Sequence, residues 1–145
     1  MKVRHAIIIN RPIDELFAFV TNLHNETRWQ SEIKSVTLEG PLQAGSTFRE
    51  RRVTFGRAYE WHFRITEFAP PHRITIDTIN GTARYRGSRI FAAVEGGTRV
   101  TEIGELEMPP FLRVLDPLFG WLSKRPLRLA YGRLQQLLEE DGALQ

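Results

Sequence analysis

Hydrophobic and polar positions change their spacing along the chain, and each spacing predicts one kind of element. Residues 2–9 alternate and then run apolar, which predicts a β-strand. Over residues 13–23 the apolar side chains recur every three to four positions, and Pro12 suits the first turn of a helix. A turn or second short helix is expected over residues 24–29, ending at Trp29. The N-terminal part therefore predicts one strand followed by two short helices.

Alternating positions up to residue 108 predict antiparallel β-structure, and turn residues set the pairing. Strands are expected over about 33–39 and 46–54. The expected turns are Phe55-Gly56, a loop over residues 69–72, Asn80-Gly81 and Gly96-Gly97. These turns place the following residues opposite each other: Phe48 and Phe63, Glu50 and Trp61, Arg51 and Glu60, Phe63 and Thr78, Arg64 and Asp77, Ile65 and Ile76, Ile76 and Tyr85, Asp77 and Arg84, Thr78 and Ala83, Phe91 and Glu102, Arg89 and Gly104, Arg86 and Glu107, Tyr85 and Met108.

The four registers agree on which side chains share a face of the sheet. One face collects large apolar residues: Phe48, Trp61, Phe63, Ile65, Ile76, Tyr85, Phe91, Val100, Leu106 and Met108. The other face sets arginines opposite acidic residues, and a shift by one residue would exchange the two faces. We therefore predict a curved antiparallel meander with one dry face.

Past Pro109 the apolar spacing becomes helical again. The stripe consists of Phe111, Leu115, Leu118, Phe119, Leu122, Leu127, Ala130, Leu134, Leu137 and Leu138. A helix of about 30 residues would be roughly 45 Å long. Asp116-Pro117 would be the cap and first residue of a second segment, and Pro126 predicts a kink or break just before it.

The composition is that of one ordinary folded domain over residues 1–145, with 41% hydrophobic and 26% charged residues. No signal-peptide pattern and no membrane-spanning apolar run occurs. The chain has no cysteine, which excludes thiol chemistry and favours the cytoplasm. The net charge of +3 comes without a long basic run, so we expect no nucleic-acid partner. Most of the 20 basic residues are arginine, which indicates a GC-rich bacterial genome.

The order of elements and several short motifs resemble the helix-grip fold of the START-like superfamily. The motifs are Arg11-Pro12-Ile13-Asp14-Glu15-Leu16-Phe17, Trp29, Ile65-Thr66-Glu67-Phe68-Ala69-Pro70-Pro71 and Gly96-Gly97-Thr98-Arg99-Val100-Thr101. The chain is similar in particular to the polyketide cyclase/dehydrase and lipid-transport group, often labelled SRPBCC. The resemblance implies an α+β fold, in which a curved antiparallel β-sheet wraps around a long C-terminal α-helix. It also implies a cavity between sheet and helix for a small hydrophobic ligand such as a lipid, polyketide or aromatic molecule, and it brings no catalytic motif.

Charged side chains point inward among the aromatic residues in the predicted registers. They are Glu50, Arg52, Arg89 and Glu102, with Arg89 and Glu102 as diagonal neighbours and Gly104 leaving room beside Arg89. A charge on an apolar face must be paired or face water. These groups are therefore structural ion pairs, or they orient the polar end of an apolar ligand. The predicted ligand-binding residues are Phe48, Glu50, Arg52, Trp61, Phe63, Tyr85, Arg89, Phe91, Glu102, Leu106 and Phe119.

A cyclase or dehydratase acting on a polyketide-like substrate is the alternative to a ligand-binding carrier. Glu102 or Glu50 would be the general base, and Arg89 or Arg52 would stabilise the negative charge of an enolate as it develops. Among the histidines, His5 alone is expected to face the interior, as a core residue or at the cavity. No metal-ligand spacing or nucleotide-binding motif occurs, so we expect no metal and no cofactor.

A second alternative is an interaction module that works through the C-terminal helix. From Phe111 to Arg128 the sequence sets apolar residues, Trp121 among them, beside cations. Such a segment is typical of a helix that lies on anionic lipid or that docks a partner protein. The same residues would also serve if the helix only covered the cavity.

Overall fold

The computed structural model describes residues 1–54, 56–80 and 83–140. Its elements are β1 (Lys2–Ile9), α1 (Ile13–Thr21), a 3₁₀ turn (Leu23–Asn25), α2 (Glu26–Trp29), β2 (Ile33–Glu39), β3 (Thr47–Thr54), β4 (Arg57–Ala69), β5 (Arg73–Thr78), β6 (Arg84–Val94), β7 (Gly97–Glu107), a 3₁₀ segment (Pro110–Leu115) and α3 (Asp116–Glu139). The predicted order of one strand, two short helices, a long sheet and a C-terminal helix is confirmed.

In the described part of the chain, seven antiparallel strands form one sheet in the order β1-β7-β6-β5-β4-β3-β2. Since β1 and β2 lie at opposite edges, the chain must cross the sheet between them, and α1 and α2 make that crossing. The helix α1 contacts β6 and β7, whereas α2 contacts β2 and α3. This is the predicted α+β fold, with a long C-terminal helix against a curved sheet.

The pairing of β3 with β4, and of β4 with β5, is as predicted. Phe48 lies opposite Phe63, and Ile65 lies opposite Ile76. A bulge at Thr66 shifts the remainder of the β4–β5 pair by one residue. Phe55, which the sequence places in the β3–β4 turn, lies outside the described residues.

The two later hairpins are each shifted by two residues, so the predicted pairs there are wrong. The observed pairs are Asp77 with Arg86, Ile76 with Gly87, Tyr85 with Leu106, Arg86 with Glu105, Arg89 with Glu102 and Phe91 with Val100. The β5–β6 connection is longer than an Asn80-Gly81 turn requires, and Gly81 and Thr82 lie outside the described residues. A shift of two keeps every side chain on its face, so the predicted dry face is unaffected.

The β6–β7 turn consists of Glu95 and Gly96, one residue earlier than predicted. Gly96 has a φ of 90°, which suits glycine, and Gly97 already pairs with Val94. A Cβ on Gly97 would overlap the carbonyl oxygen of Ile9, so glycine is needed there for close packing against the end of β1. The second glycine therefore lies outside the turn, where both its φ of 137° and the contact with β1 favour glycine.

The core has two parts on the dry face of the sheet. One lies under the second half of α3 and comprises Ile9, Leu16, Phe17, Phe19, Val20, Trp29, Phe91, Val100, Tyr131, Leu134 and Leu138. The other lies toward β2 and comprises Leu23, Ile33, Val36, Phe48, Phe63, Ile65 and Ile74. Phe68 packs against both parts and joins them.

Only the second half of α3 is anchored in the core. Tyr131, Leu134 and Leu138 are buried, and the side chain of Gln135 donates to the carbonyl oxygen of Ile8 at 3.1 Å. The first half of the predicted stripe is exposed at Phe111, Leu115, Leu118 and Leu122, so it does not cover the sheet.

A kink or break was predicted before Pro126; the break is wrong, because α3 continues through this residue, and the kink stays a prediction. Pro126 is exposed, so water can reach the carbonyl four residues earlier that has lost its N–H partner. The helix begins at Asp116, which was expected to be its cap.

Candidate functional site

Arg89 is the centre of a buried polar group on the dry face. Its Nε donates to Glu102 Oε1 at 3.0 Å, and its Nη1 donates to Glu26 Oε1 at 2.6 Å. The guanidinium carbon lies 5.1 Å from the ring centroid of Trp29. The side chains of Arg89, Glu102 and Glu26 are at most 16% exposed. Arg89 and Glu102 are therefore direct neighbours across β6 and β7, and α2 supplies a second carboxylate.

Tyr131 of α3 completes this group, which we call the Arg89 cluster: Arg89, Glu26, Glu102, Trp29 and Tyr131. The rings of Trp29 and Tyr131 lie 5.1 Å apart between centroids. The Trp29 Nε1 and the Tyr131 hydroxyl are both buried and have no hydrogen-bond partner among the described residues. Burial, and then the nearby Glu102 carboxylate, raise the pKa of Tyr131 well above its usual value. Tyr131 therefore keeps its proton and remains a hydrogen-bond donor.

A second ion-pair group runs from the interior to the surface along β3. Glu50 is buried, and its Oε1 accepts a hydrogen bond from Arg52 Nε at 3.0 Å and lies 2.9 Å from Arg52 Nη2. Arg52 also reaches Glu32 Oε2 at 3.4 Å. Burial raises the pKa of Glu50, the Arg52 charge opposes that shift, and the Glu26 charge adds to it. Glu50 is therefore a carboxyl group that takes up a proton more readily than an exposed glutamate does.

Together the two groups pair each arginine with two carboxyl groups. Glu26 and Glu102 hold the buried Arg89, Glu50 holds Arg52, and Glu32, which is 34% exposed, meets Arg52 at the surface end. For Arg89, burial opposes the charged form, but the carboxylates around it outweigh burial and raise its pKa well above the usual value. The arginines thus stay charged, and both already have carboxyl partners.

The Tyr85 ring fills the space beside Arg89 that Gly104 was expected to leave open. Gly87 and Gly104 lie directly opposite each other in β6 and β7. A Cβ on Gly87 would lie 2.7 Å from the Tyr85 ring, and one on Gly104 would overlap the Tyr85 hydroxyl. The two glycines therefore make room for the Tyr85 ring, and the predicted free space beside Arg89 is occupied.

The structure separates the predicted ligand-binding residues into groups. Phe48, Phe63 and Trp61 stack on one another at 5.2 and 5.8 Å, and Tyr85 meets Phe63 edge-on. Phe91 packs against Phe17 in the other part of the core. The half-buried Leu106 and Phe119 lie outside both parts of the core. Whether these residues bind a ligand stays a prediction.

Two grooves follow the edge between β1 and α3, and neither is lined by a predicted ligand-binding residue. The larger, of about 380 Å³, is lined by Met1, Lys2, Asp116, Pro117, Gly120, Trp121 and Lys124. The smaller, of about 200 Å³, is lined by Lys2, Val3, Arg4, His5, Gly120, Lys124, Leu127 and Arg128. The His5 ring lies 5.4 Å from that of Tyr131, so His5 connects the smaller groove to the Arg89 cluster.

Sequence reasoning missed Glu26 and Tyr131 and assigned Trp29 no polar contact. Glu26 and Trp29 are three residues apart in α2, a spacing that places both on one helix face. Tyr131 lies at helical spacing between Leu127 and Leu134, so the stripe of α3 already contained its position. Both spacings are visible in the sequence, but neither predicts that the side chains contact Arg89.

The described residues contain no group of three or more histidine, aspartate or glutamate side chains that could hold a metal ion. Within the same ranges, no helix is both long and apolar enough to cross a membrane.

A family model described as polyketide cyclase / dehydrase and lipid transport matches residues 1–139. No curated protein matches the sequence.

Solved structures of low sequence identity share the fold. A protein from Thermus thermophilus is 21% identical, with a TM-score of 0.80 over 94% of this chain and 95% of that chain. The di-domain ARO/CYC BexL of a biosynthetic pathway is 18% identical, with a TM-score of 0.74 over 96% of this chain and 50% of that chain. Truncated norcoclaurine synthase from Thalictrum flavum is 12% identical, with a TM-score of 0.71 over 97% of this chain and 94% of that chain.

Proposed function

Because the chain belongs to the polyketide cyclase / dehydrase and lipid transport family, we propose that it binds a small hydrophobic molecule between the sheet and α3. The polar end of this molecule lies at the Arg89 cluster. The observation that carries the proposal is the pair of buried donors, Trp29 Nε1 and the Tyr131 hydroxyl, that lack a partner among the described residues. A buried donor without an acceptor is unfavourable, and an oxygen atom of a ligand would satisfy it.

The charges of the interior narrow the class of ligand. Both arginines at this site are already held by carboxyl groups, so neither is free to pair with a carboxylate ligand such as a free fatty acid, which therefore fits poorly. A neutral carbonyl or hydroxyl oxygen accepts from Tyr131 and Trp29 without adding charge. The ligand is therefore a neutral, mostly apolar molecule with a carbonyl or hydroxyl group, as in an aromatic ketone or a polyketide.

The edge between β1 and α3 is the route of entry that the geometry favours. His5 is one of the residues that line the smaller groove, and its ring lies 5.4 Å from that of Tyr131. The first half of α3 is exposed beside this groove and is not held by the core. A ligand that enters here reaches the Arg89 cluster without separating the anchored second half of the helix.

The test compares two probes that differ in charge, acetylnaphthalene and naphthoate, by fluorescence titration. We expect wild-type protein to bind the neutral ketone more tightly than the carboxylate. In Tyr131→Phe the affinity for the ketone falls roughly two- to tenfold, the size of one hydrogen bond. The free energy of unfolding of this variant stays unchanged or rises, because a buried hydroxyl without a partner is removed.

The matched control is Tyr59→Phe, which removes a hydroxyl from an exposed tyrosine. It should change neither affinity nor stability. Equal affinity for the two probes, or an unaltered affinity in Tyr131→Phe, would contradict the assignment of the polar end to the Arg89 cluster.

The enzyme alternative, a polyketide cyclase/dehydratase-like activity, draws its support from Glu50. Its raised pKa brings this carboxyl closer to the range in which a general base works. Glu102 is the other candidate base, and an arginine holds each of the two carboxylates, Arg89 that of Glu102 and Arg52 that of Glu50. If the protein is an enzyme, Glu50→Gln lowers kcat by orders of magnitude, whereas a carrier shows only a modest change in affinity.

A further inference from the structure

We propose that the edge formed by β1 and the first half of the C-terminal helix binds an anionic lipid surface. This docking edge consists of residues 110–129 together with Lys2 and Arg4. The inference goes beyond the binding of a ligand in the interior and does not depend on it.

The docking edge exposes large apolar side chains that the fold leaves uncovered. Phe111, Val114 and Trp121 are 77%, 80% and 69% exposed. Within α3 the exposed Trp121 and Leu122 lie three and four residues after Leu118, and Leu129 lies two turns after Leu122, so the four share one face of the helix. A contiguous apolar face of this kind on a soluble fold marks a binding surface.

Cations surround this apolar face. Arg125 shares the face, and Lys124 and Arg128 lie beside it along the two grooves, where Lys2 and Arg4 of β1 meet them. Asp116 is the one acidic residue in the sequence of residues 110–129, and its carboxylate lies 3.5 Å from the N-terminal ammonium group. The docking edge is therefore strongly positive as well as apolar.

This combination fits anionic lipid better than a second copy of the chain. A helix with Trp, Phe and Leu on one face and cations around them inserts its apolar side chains at the headgroup level while the cations contact lipid phosphates. The long stems of lysine and arginine let their charges reach the headgroups from an apolar surface. A symmetric dimer through the same face would bring two sets of cations together, which is unfavourable.

The first experiment is co-sedimentation of the full chain with vesicles of phosphatidylcholine alone and of phosphatidylcholine mixed with phosphatidylglycerol. We expect binding to the anionic vesicles only, weakening as salt is raised. The tryptophan emission should shift to the blue on binding, because Trp121 is 69% exposed, whereas Trp29 is buried and Trp61 is half-buried on the sheet. Absence of binding to anionic vesicles at low salt would overturn the proposal.

Two double variants, each with a matched control, separate the apolar from the charged contribution to vesicle binding. Phe111→Ser with Trp121→Ser should weaken vesicle binding about tenfold or more, whereas Tyr59→Ser with Ile103→Ser, on the sheet, should not. Lys124→Glu with Arg125→Glu should abolish binding to anionic vesicles. The control Arg57→Glu with Arg99→Glu makes the same change in net charge on exposed strand positions and should retain most of the binding.

Other outcomes assign the face to a different occupant and overturn the proposal. If both charge-reversal pairs lose binding equally, net charge rather than the docking edge attracts the vesicles. If the wild type is a dimer by light scattering and Phe111→Ser with Trp121→Ser is a monomer, a second copy covers the face. Unchanged thermal unfolding of each variant shows that lost binding is not lost folding.

Discussion

Arg89 holds two carboxylates that reach it from different elements, Glu102 in β7 and Glu26 in α2. Replacing it by methionine keeps much of its volume but leaves both carboxylates buried without a partner. Arg89→Met should therefore lower the free energy of unfolding by about 3–5 kcal/mol in urea denaturation. The control Arg73→Met breaks an ion pair with Glu67 in which both side chains are about half exposed, and it should cost at most about 1 kcal/mol. Similar losses in the two variants would show that the Arg89 ion pairs are not desolvated.

Because burial raises the pKa of Glu50, this residue makes the free energy of unfolding fall as pH rises. Its pKa in the folded protein is raised above the usual 4.5, so the folded state keeps a proton that the unfolded chain has released. The contribution of Glu50 to the free energy of unfolding therefore falls as pH rises from about 4.5 through the folded pKa. Glu50→Gln should remove this slope in urea denaturation between about pH 4 and pH 8.

The control for this slope is Glu60→Gln, which replaces an exposed carboxylate and should leave the pH dependence unchanged. The ion pair with Arg52 exists only while Glu50 is ionised, so its contribution is already part of the folded-state pKa of Glu50. Parallel curves for wild type and Glu50→Gln would contradict the raised pKa.

At the level of single residues, the sequence predicts which charges point inward but not what they meet. Glu50, Arg52, Arg89 and Glu102 follow from strand alternation, and the structure places them on the dry face. Glu26 lies on a four-residue helix, and how such a helix meets a sheet depends on the packing of the loops around it. That packing leaves no periodic signal in the sequence.

At the level of elements, the pair Gly87 and Gly104 lets the Tyr85 ring lie flat on β6 and β7. Gly104→Ala would place a methyl group against that ring and should destabilise the protein by about 1–3 kcal/mol. Gly132→Ala is the matched control, because an added Cβ there meets no atom within 4 Å and lies in α3. It should stabilise the protein by about 0.5–1 kcal/mol. Thermal unfolding that shifts in the same direction for both variants would contradict the close packing of Tyr85.

The sequence predicts which face of the sheet a strand residue lies on more reliably than it predicts the residue opposite it. The Gly96-Gly97 and Asn80-Gly81 signals located two hairpins but gave pairs displaced by two residues. Alternation repeats every two residues, so this error changed no face. Only Gly96 is used in the turn, since Gly97 approaches Ile9, and a contact so distant in sequence cannot be inferred from turn chemistry.

The apolar spacing of the C-terminal helix likewise predicts its apolar face but not what covers that face. Its stripe correctly predicts a long helix with one apolar face, and Leu134 and Leu138 are buried as expected. The earlier part of the stripe, from Phe111 to Leu122, has equally good spacing and lies mostly in solvent. Periodicity reports that a face is apolar, whereas what covers that face depends on where the helix lies relative to the sheet.

At the scale of the whole molecule, the fold brings three separate segments to one interior point. The sheet supplies Arg89 and Glu102, the crossing helix α2 supplies Glu26 and Trp29, and α3 supplies Tyr131. The charges also differ by location: the interior arginines are paired with carboxyl groups, whereas the docking edge carries mostly cations. A neutral ligand and an anionic surface are the partners that this division favours.

The central claim is that the interior binds a neutral hydrophobic molecule with one oxygen-bearing end. Native mass spectrometry of the freshly purified protein, followed by organic extraction, tests it most directly. We predict a complex with one bound molecule per chain that proves to be apolar, uncharged and equipped with a carbonyl or hydroxyl group. Protein that is empty, and whose thermal unfolding is unmoved by neutral lipids and aromatic ketones, would contradict the claim.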